Sequence, residues 1–441
     1  MSKDDKTWYP YSQMSETFKH YKIKTISSGS DFYFVDRKGH RYLDGVSNMW
    51  CNVWGFSENR IINAMRDQVL KIPHSNIFGI ANDKSQSLSS KFLQLTEGMD
   101  KLFYTDNGSS AIEVAMKIAT QYWYNKDVKN KSIFLSLKDG YHGDTIGAMS
   151  VGYVENYFNR YKQLLIPTRR IPKPKSTLIE RDNQSDLKLT IEKSKNIIEK
   201  NADKAIALIM ESGAQIAGGV TIFPDGYQKQ IKDICMKNNV LLILDEIATG
   251  FGRLGNMVEY LAQESTPDIA CFGKSITGGY FPLALTAASK NIYQEFEGKW
   301  DEGRQLYHGH TYSGHPVGCA AVLENIKMYK EKKLIERIRT NASKINKRIR
   351  EFDKFPIVEN IRSKGMLSAF DLIHKKKMIK NVNGVPITIF IIREALKRGV
   401  FLRPLGSTML IIPPLAIDFN SIEKIIDVQT DIINDIQKSL N

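Results

Sequence analysis

The segment YTDNGSS, residues 104–110, joins an apolar run to the amphipathic stretch SSAIEVAMKIATQYW. Its residue types could bind a phosphate, because the free N–H groups and the positive dipole end of a helix attract anions. Gly108 and Ser109 would stand at the start of that helix. Ordinary capping of the helix by Ser or Asn is the structural alternative, and the segment alone does not decide between the two.

A carboxylate and a lysine follow two later apolar runs. Asp245 ends the run VLLIL, which places it at the carboxyl edge of a buried strand, where open α/β sheets bind ligands. Lys274 follows the run DIACFG and precedes a Ser-Ile-Thr-Gly-Gly stretch. A desolvated lysine can have a lowered pKa and form a Schiff base. An aspartate that caps a turn and a surface lysine are the alternatives for these residues taken singly.

Together the three features fit pyridoxal 5′-phosphate (PLP). This cofactor carries a phosphate, a ring nitrogen that pairs with a carboxylate and an aldehyde that bonds a lysine, and its protonated ring acts as an electron sink. P-loop nucleotide hydrolases are a competing class, because LLILDE and Gly273-Lys274-Ser275 resemble their acidic strand and phosphate loop. The match fails, since Asp268 stands where that loop needs glycine and the loop would normally precede the acidic strand.

Short apolar runs separated by helical patterns predict the elements that position these residues. The runs are LFYT (102–105), SIFLSL (132–137), AIALIME (205–211), VLLILDE (240–246) and DIACFG (268–273). Continuous apolar runs of this kind are typical of strands buried on both faces of a mostly parallel sheet. We therefore expect an α/β fold with a large domain, in which this sheet lies between helices, and a smaller α+β domain.

Other patterns predict the elements outside that sheet. The segment Asp31–Gly45 alternates polar and apolar residues around a turn-like Arg-Lys-Gly, which predicts a β-hairpin, and Ser57–Ile72 has the pattern of an amphipathic helix. A long helical stretch follows His315 and reaches about Phe352. The later runs FPIVENIRSKGMLSAFDLI and GVFLRPLGSTMLIIPPL predict strands of the smaller unit, which a C-terminal helix closes.

The length of 441 residues excludes one small module. We expect residues 1–60 to join the small domain, residues 61–325 to form the large PLP-binding domain, and residues 326–441 to form the C-terminal small domain. The composition, 42% hydrophobic and 25% charged, is close to that of soluble globular proteins, so disorder and fibrous repeats are excluded.

The net charge and the cysteine spacing limit the kinds of partner that we expect. The net charge of +14 would permit binding to nucleic acid or an anionic membrane, but the lysines are scattered, which favours solvated faces or attraction of anionic small molecules. Four widely spaced cysteines without a CxxC pair predict neither a disulfide framework nor a metal site. No apolar run approaches the roughly 18 residues of a membrane helix, and the N-terminus lacks a signal-like apolar region. We expect a soluble cytoplasmic protein.

Four blocks resemble the signatures of class III, fold-type I PLP-dependent aminotransferases. They are GYHGDTIGAMSVG (140–152), LLILDEIATGFGRLG (241–255), CFGKSITGGYFPLALT (271–286) and HGHTYSGHPVGCAA (308–321). The resemblance runs from about Trp8 to Leu415. WYPYSQM near the N-terminus and RPLGSTMLIIPPL near the C-terminus are similar to the biotin-pathway branch of this class, which implies conversion of 8-amino-7-oxononanoate to 7,8-diaminononanoate.

The resemblance implies a role for each matching cofactor residue. Lys274 would be the Schiff-base lysine and the acid/base, and Asp245 would pair with the ring nitrogen. The remaining implied contacts are the phosphate for Gly108 and Ser109, the ring face for Tyr141, the ring hydroxyl for Gln215, and the phosphate of the neighbouring subunit for Thr311. The last contact would require a homodimer.

The resemblance also implies a substrate pocket. Arg403 would bind the substrate carboxylate, a role that suits a forked guanidinium. The residues matching the rest of the pocket are Tyr11, Met49, Trp50, Tyr141 and Gly309. The structural alternatives are core aromatics for Tyr11 and Trp50, and a salt-bridge partner for Arg403.

Departures from the family pattern leave the amino donor open between S-adenosylmethionine and lysine. Donor pockets for S-adenosylmethionine often have paired tryptophans where this chain has Met49 and Trp50, and Trp54 replaces the usual histidine in the following turn. GGYFPLA after the lysine is closer to the branch that uses lysine. The segment WCNVWG also resembles ω-amino-acid:pyruvate transaminases, which are the alternative function.

Overall fold

The computed structural model describes residues 6–179 and 184–440, so the first five residues of the predicted N-terminal segment lie outside it. The chain divides into two compact units. One unit contains the described residues up to Glu58 and those from Arg337 onward, and the other is Asn59–Glu336. The functional roles assigned above to residues 1–60, 61–325 and 326–441 stay predictions.

The strands vary in length from two to eight residues. In chain order they are β1 (Ile26–Ser30), β2 (Tyr33–Asp36), β3 (Arg41–Asp44), β4 (Lys101–Thr105), β5 (Ile133–Leu137), β6 (Thr168–Ile171), β7 (Ala205–Glu211), β8 (Ala214–Gln215), β9 (Thr221–Ile222), β10 (Leu241–Asp245), β11 (Ile269–Phe272), β12 (Ala284–Ala288), β13 (Val358–Lys364), β14 (Leu367–His374), β15 (Lys377–Met378), β16 (Asn381–Val382), β17 (Val385–Pro386), β18 (Val400–Phe401) and β19 (Thr408–Ile411).

The helices range from single turns to the 22 residues of the last one. In chain order they are α1 (Met14–His20), α2 (Ser47–Trp50), α3 (Asn59–Lys71), α4 (Asp83–Leu93), α5 (Gly108–Asn125), α6 (Ile146–Val151), α7 (Glu155–Phe158), α8 (Gln184–Asn201), α9 (Tyr227–Lys237), α10 (Glu259–Ala262), α11 (Lys290–Gln294), α12 (Pro316–Glu331), α13 (Leu334–Arg350), α14 (Ile387–Lys397) and α15 (Phe419–Leu440).

A seven-stranded sheet forms the centre of the unit Asn59–Glu336. Its strand order is β4-β12-β11-β10-β7-β5-β6, with β12 antiparallel to both neighbours and the other pairings parallel. Every residue of β7, β10 and β11 is buried, which explains their continuous apolar sequences. The five predicted strands are confirmed, and so is the mostly parallel sheet.

Helix α5 packs against this sheet through an apolar face. Its small residues, including Ala111 and Ala115, are fully buried and allow the helix to approach the strands closely. At the far end of the helix, Trp123 is buried and its indole N–H donates to the carbonyl of Ile206 on β7, 2.8 Å away. The packing therefore fixes the start of α5 relative to the carboxyl ends of the strands.

The unit that contains both chain ends has smaller sheets, β1-β2-β3-β18 and β13-β14-β15 with β19 paired to β14. The predicted hairpin is confirmed as β2 and β3, and the predicted C-terminal helix as α15. In the other unit, α3 lies within the predicted Ser57–Ile72. The prediction of one helical stretch from His315 to about Phe352 is wrong, because two helices lie there. Lys333 takes a left-handed φ of 46° and separates α12 from α13.

The buried carboxylate of Asp44 holds an unusual turn at α2. Four consecutive non-glycine residues there, from Ser47 to Trp50, have positive φ between 45° and 74°, a conformation that costs free energy for each side chain. One oxygen of Asp44 accepts the N–H groups of Val46 and Asn48 at 3.1 and 2.9 Å, and the other accepts the amide of Asn52 at 3.1 Å. These hydrogen bonds offset the backbone strain and fix the direction of Met49 and Trp50.

We expect Asp44→Ala to lower the free energy of unfolding by about 2 to 4 kcal/mol, because it removes hydrogen bonds to a charged group and leaves buried donors without partners. Urea unfolding followed by tryptophan fluorescence measures the change. Asp67→Ala, which removes an exposed carboxylate, is the matched control and should change the free energy by less than about 0.5 kcal/mol. Equal unfolding midpoints for the two variants would contradict this account of the turn.

Candidate active site

The start of α5 offers unpaired N–H groups at the end of β4. Asn107 caps the helix, and its side-chain oxygen accepts the N–H of Ser110 at 3.0 Å. Within the described part of the chain, the backbone N–H groups of Gly108 and Ser109 have no hydrogen-bond partner, as is usual for the first helical residues. Capping and anion binding are thus compatible at this helix, and the two alternatives raised by the sequence do not exclude each other.

The turn that follows β5 lies directly against this helix start. Gly143 has a φ of 127°, and a Cβ atom on it would overlap the hydroxyl of Ser109. The carboxylate of Glu113 on α5 accepts hydrogen bonds from the Thr145 hydroxyl at 2.6 Å and the Gly147 N–H at 2.7 Å. The turn and the helix are therefore fixed to each other around Ser109.

Asp245 ends β10, and the residue is only 5% exposed. One of its oxygens accepts the backbone N–H of Ile247 at 2.9 Å, and the other lies 2.7 Å from Nδ1 of His142, which is also buried. Burial opposes protonation of this imidazole, but the hydrogen bond and charge of Asp245 outweigh it, so the pKa of His142 is raised. A buried carboxylate needs such a partner to stay ionised.

Ile247 connects the separate parts of the site. A Cβ atom on Gly108 would lie 2.9 Å from its side chain, and one on Gly273 would lie 3.1 Å away. The side chain of Ile247 is thus seated between the start of α5 and the residue before Lys274, while its N–H binds Asp245. The structure thereby brings the three sequence-predicted features to one place.

Lys274 follows β11, the strand beside β10, in which Cys271 pairs with Asp245. Its φ of 49° is in the left-handed region, and its side chain is partly exposed. The next two carbonyls, of Ser275 and Ile276, accept the side-chain amide of the buried Asn325 on α12 at 2.9 and 2.8 Å. Strained backbone held in place by such contacts is common at functional residues.

A second buried carboxyl, Glu211, lies beside Asp245 on β7. Its oxygens accept the backbone N–H groups of Tyr141 at 3.3 Å and Ile216 at 3.2 Å. Burial raises the pKa of Glu211 to about 7; the nearby His142 opposes this shift and Asp245 adds to it. Glu211 thus joins the turn that carries Tyr141 to the turn that carries Gln215.

Tyr141 and Gln215 stand on those two turns. The ring of Tyr141 is parallel to that of Phe158 at a centroid distance of 6.1 Å, which limits its orientation. The amide nitrogen of Gln215 donates to the carbonyl of Lys138 at 3.1 Å, whereas its buried carbonyl oxygen has no protein partner among the described residues. This oxygen is available to a ligand hydroxyl.

The other predicted residues are placed as follows. In the same unit, Gly309 packs so closely on Phe78 that a Cβ would lie 2.5 Å from the ring, and the exposed Thr311 makes no hydrogen bond within residues 6–179 and 184–440. In the unit that contains the chain ends, Trp50 is buried and Met49 and Tyr11 are largely exposed. Arg403 in that unit is partly exposed and close enough to Tyr21 to affect its pKa, which burial raises and the arginine lowers.

Sequence reasoning missed the roles of three residues. His142 and Ile247 each stand one or two positions from a predicted residue, within GYHGD and LDEI, and that adjacency was the available signal. Glu211 is the last residue of the apolar run AIALIME. Its position opposite Asp245 depends on the register between β7 and β10, which the sequence does not reveal.

We expect Gly143→Ala to weaken PLP binding at least tenfold, or about 1.4 kcal/mol, because the new methyl group must displace Ser109 from the helix start. Equilibrium binding of PLP to the apoprotein measures the effect. Gly39→Ala is a matched control, since Gly39 has a similar positive φ of 82° but nothing within 4 Å of the added Cβ. Unchanged PLP affinity of the Gly143 variant would show that PLP binding does not depend on the position of Ser109 at the helix start.

Comparison with known proteins gives consistent matches along nearly the whole chain. An adenosylmethionine-8-amino-7-oxononanoate aminotransferase from Aquifex aeolicus is 34% identical, with 98% of this chain and 96% of that protein aligned. One from Methanocaldococcus jannaschii is 36% identical, with 93% and 92% aligned. The crystal structure of the M. jannaschii enzyme matches with a TM-score of 0.88 at 34% identity, covering 98% of this chain and 97% of that one.

A PLP-bound amine transaminase from an uncultivated Pseudomonas species also has the same fold, with a TM-score of 0.91 at 28% identity and 98% and 99% coverage. The fold expected from the sequence, that of a fold-type I PLP-dependent transferase, is confirmed by these structures. The nucleotide hydrolase alternative is excluded, because the family of class-III aminotransferases matches residues 16–433. The chain therefore belongs to the class-III aminotransferases and is a PLP-dependent enzyme.

Proposed function

We propose that this enzyme converts 8-amino-7-oxononanoate to 7,8-diaminononanoate in biotin synthesis, with S-adenosylmethionine or lysine as the amino donor. Relatives named adenosylmethionine-8-amino-7-oxononanoate aminotransferase are 30–36% identical over nearly the full length. The observation that carries the chemistry is the seating of Ile247 between Gly108 and Gly273, which joins a helix N-terminus, a buried carboxylate and a lysine.

The residues present fit PLP. The unpaired N–H groups of Gly108 and Ser109 would hold the phosphate, and the lack of a side chain on Gly108 lets the helix start close to Ile247. Tyr141 would lie against the ring, and the unpaired carbonyl oxygen of Gln215 would accept a hydrogen bond from the ring hydroxyl. Asp245 would supply the carboxylate that accepts from a protonated ring nitrogen.

When bound, PLP supplies an electron sink for the electron pair left at the substrate carbon. Asp245 would maintain this property by stabilising a proton on the ring nitrogen, and His142, 2.7 Å away, holds the carboxylate in its orientation. Both groups are buried, so water competes little for the hydrogen bond between them.

Lys274 would bond the cofactor in the resting enzyme and then move the proton between the substrate carbon and the cofactor. The left-handed backbone of Lys274 is held in place, because the side-chain amide of Asn325 donates hydrogen bonds to the carbonyls of the next two residues. The lysine side chain therefore extends from a fixed position. The donor and the acceptor would use this one lysine in turn. The proposal therefore implies ping-pong kinetics with two half-reactions at one site.

The acceptor has a carboxylate far from its reacting ketone, and we assign Arg403 to that end. A guanidinium can hold a carboxylate through two parallel hydrogen bonds. Met49 and Trp50, whose positions depend on the Asp44 turn, would contact the aliphatic chain together with Tyr11, Tyr141 and Gly309. Apolar walls with one fixed cation are suited to a long monocarboxylate.

Thr311 would bind the phosphate in a neighbouring subunit, and the enzyme would then work as a homodimer. Its exposed position, with no hydrogen-bond partner among the residues that the structure describes, is consistent with that use. Among the described helices, none combines the length and apolarity that crossing a bilayer requires. We propose that the dimer works in the cytoplasm on small-molecule substrates and binds neither nucleic acid nor membranes.

The second candidate is an amine or ω-amino-acid:pyruvate transaminase. The structural match to the Pseudomonas amine transaminase, at a TM-score of 0.91, favours it as the alternative. Strong activity with β-alanine and pyruvate, together with none on 8-amino-7-oxononanoate, would establish this alternative.

We expect Lys274→Ala to abolish covalent PLP attachment and transamination while the enzyme stays folded, because the side chain is partly exposed at the site. Asp245→Asn should retain some cofactor but lose most activity, since a neutral amide cannot stabilise the protonated ring. Absorbance spectra and single-turnover rates measure both effects, with Lys290→Ala on the surface as the control. Turnover of the Lys274 variant at the parental rate would overturn the assignment.

We expect Arg403→Ala to raise KM for 8-amino-7-oxononanoate roughly ten- to over a hundredfold, because a charge-assisted contact contributes about 1.5 to 3 kcal/mol. The half-reaction of a simple monoamine donor should change much less. Steady-state and half-reaction kinetics separate the two, and Arg41→Ala, which removes an exposed arginine, is the control. An equal loss for acceptor and donor would mean that Arg403 supports the fold instead.

A further inference from the structure

A hydrogen-bonded row of side chains joins α5 to the segment before Thr311. The ammonium of Lys117 donates to the carbonyl of Tyr307 at 2.9 Å and to Nδ1 of His308 at 3.1 Å. Nε2 of His308 lies 3.1 Å from Nε2 of His310, and Nδ1 of His310 lies 4.0 Å from the carboxylate of Asp106. We call Lys117, His308, His310 and Asp106 the imidazole chain.

The direction of the hydrogen bonds along the imidazole chain determines the tautomers of His308 and His310. An ammonium has only donors, so Nδ1 of His308 must accept and its single proton lies on Nε2. That N–H donates to Nε2 of His310, whose own proton is then on Nδ1 and faces Asp106. The reverse direction would place an N–H of His308 against the ammonium of Lys117. The geometry therefore requires both imidazoles to be neutral.

Protonation of either histidine breaks the chain. A second proton on His310 would lie on Nε2, opposite the N–H of His308, and a second proton on His308 would face Lys117. The charged groups around the pair are Lys117 and Glu113 on α5 and Asp106 before that helix, while Phe103 of β4 contributes an apolar ring. Burial, followed by Lys117 and His310, lowers the pKa of His308, and Glu113 partly opposes the shift.

Members of the imidazole chain are close in sequence to the proposed phosphate-binding residues. Asp106 is two residues before Gly108, and His310 is directly followed by Thr311. Lys117 lies on the same helix that begins with Gly108 and Ser109. We propose that Lys117, His308 and His310 are positioning residues that hold the Thr311 segment in its phosphate-binding place only while both imidazoles are neutral. This inference rests on the proposed function, in which Thr311 binds the phosphate of PLP in the partner subunit.

The sign of the pH effect follows from proton binding. The hydrogen bonds of the ordered segment need neutral imidazoles, and the pKa of His308 is lowered there, whereas a released segment would bind protons at the ordinary histidine pKa of about 6.5. The stability of the ordered segment is therefore fully present above about pH 6.5 and is lost progressively as the pH falls below that value. The segment should loosen in acid and tighten near neutrality.

Hydrogen–deuterium exchange of residues 307–314 in the holoenzyme tests the proposal. After correction for intrinsic exchange, we expect these amides to exchange at least tenfold faster at about pH 5.5 than at about pH 7.5, on either side of the histidine pKa. PLP release, followed by absorbance, should accelerate in parallel. Exchange that is independent of pH in this segment would overturn the proposal.

Two variants and a control separate the chain from other pH effects. In His310→Gln the amide oxygen can accept from His308 and the amide nitrogen can donate to Asp106, but the side chain does not ionise. We expect slow exchange near neutrality and at least a threefold smaller acid response. Lys117→Met should speed exchange at both pH values and also flatten the response, because a protonated His308 no longer faces an ammonium. His374→Gln, which removes a histidine in the other unit, should behave as the parent enzyme.

The readouts also separate this inference from the proposed function. The same acid response in His310→Gln as in the parent enzyme would overturn the role of the chain. Acid-dependent exchange without any change in PLP release would overturn the link to Thr311. Exchange is measured without substrate, so it does not depend on the identity of the substrate. If the segment responds to pH as expected but the enzyme is inactive on 8-amino-7-oxononanoate, the proposed substrate is contradicted and the role of the imidazole chain stands.

Discussion

The site depends on the hydrogen bond between the buried carboxylate of Asp245 and His142. A carboxylate at the end of a strand buried on both faces needs a hydrogen-bonding or charged partner to offset the cost of its burial. The imidazole of His142, 2.7 Å away, is that partner. Because His142 stands on the turn after β5, the same contact fixes Gly143 against Ser109 and Tyr141 against Phe158.

Close packing brings the other candidate cofactor residues to this contact. Ile247 fills the space between Gly108 and Gly273, so the helix start and the lysine stay near the carboxylate. Glu211 links the turns of Tyr141 and Gln215 from the neighbouring strand. Family membership and this geometry agree on a PLP-dependent aminotransferase, and Arg403 stays the proposed determinant of the substrate.

Sequence reasoning succeeded where one local pattern decides the outcome. Strands β7, β10 and β11 have continuous apolar sequences because both of their faces are buried, and those sequences predict the positions of Asp245 at the end of β10 and of Lys274 after β11. It failed where tertiary contacts decide. The hydrogen bond between His142 and Asp245 depends on the path of the turn after β5, which the sequence does not reveal. The residue types of Ser47–Trp50 disfavour positive φ, and hydrogen bonds to Asp44 impose it. The break at Lys333 is of the same kind.

Reduction of the holoenzyme with borohydride, followed by peptide mapping, tests the central claim most directly. Borohydride makes the bond between PLP and its lysine permanent, so the modified residue can be identified by mass. The account predicts that the visible absorbance band is bleached and that the pyridoxyl group is found on Lys274, the lysine beside Asp245 at the end of β11. A pyridoxyl group on another lysine, or none at all, would contradict it.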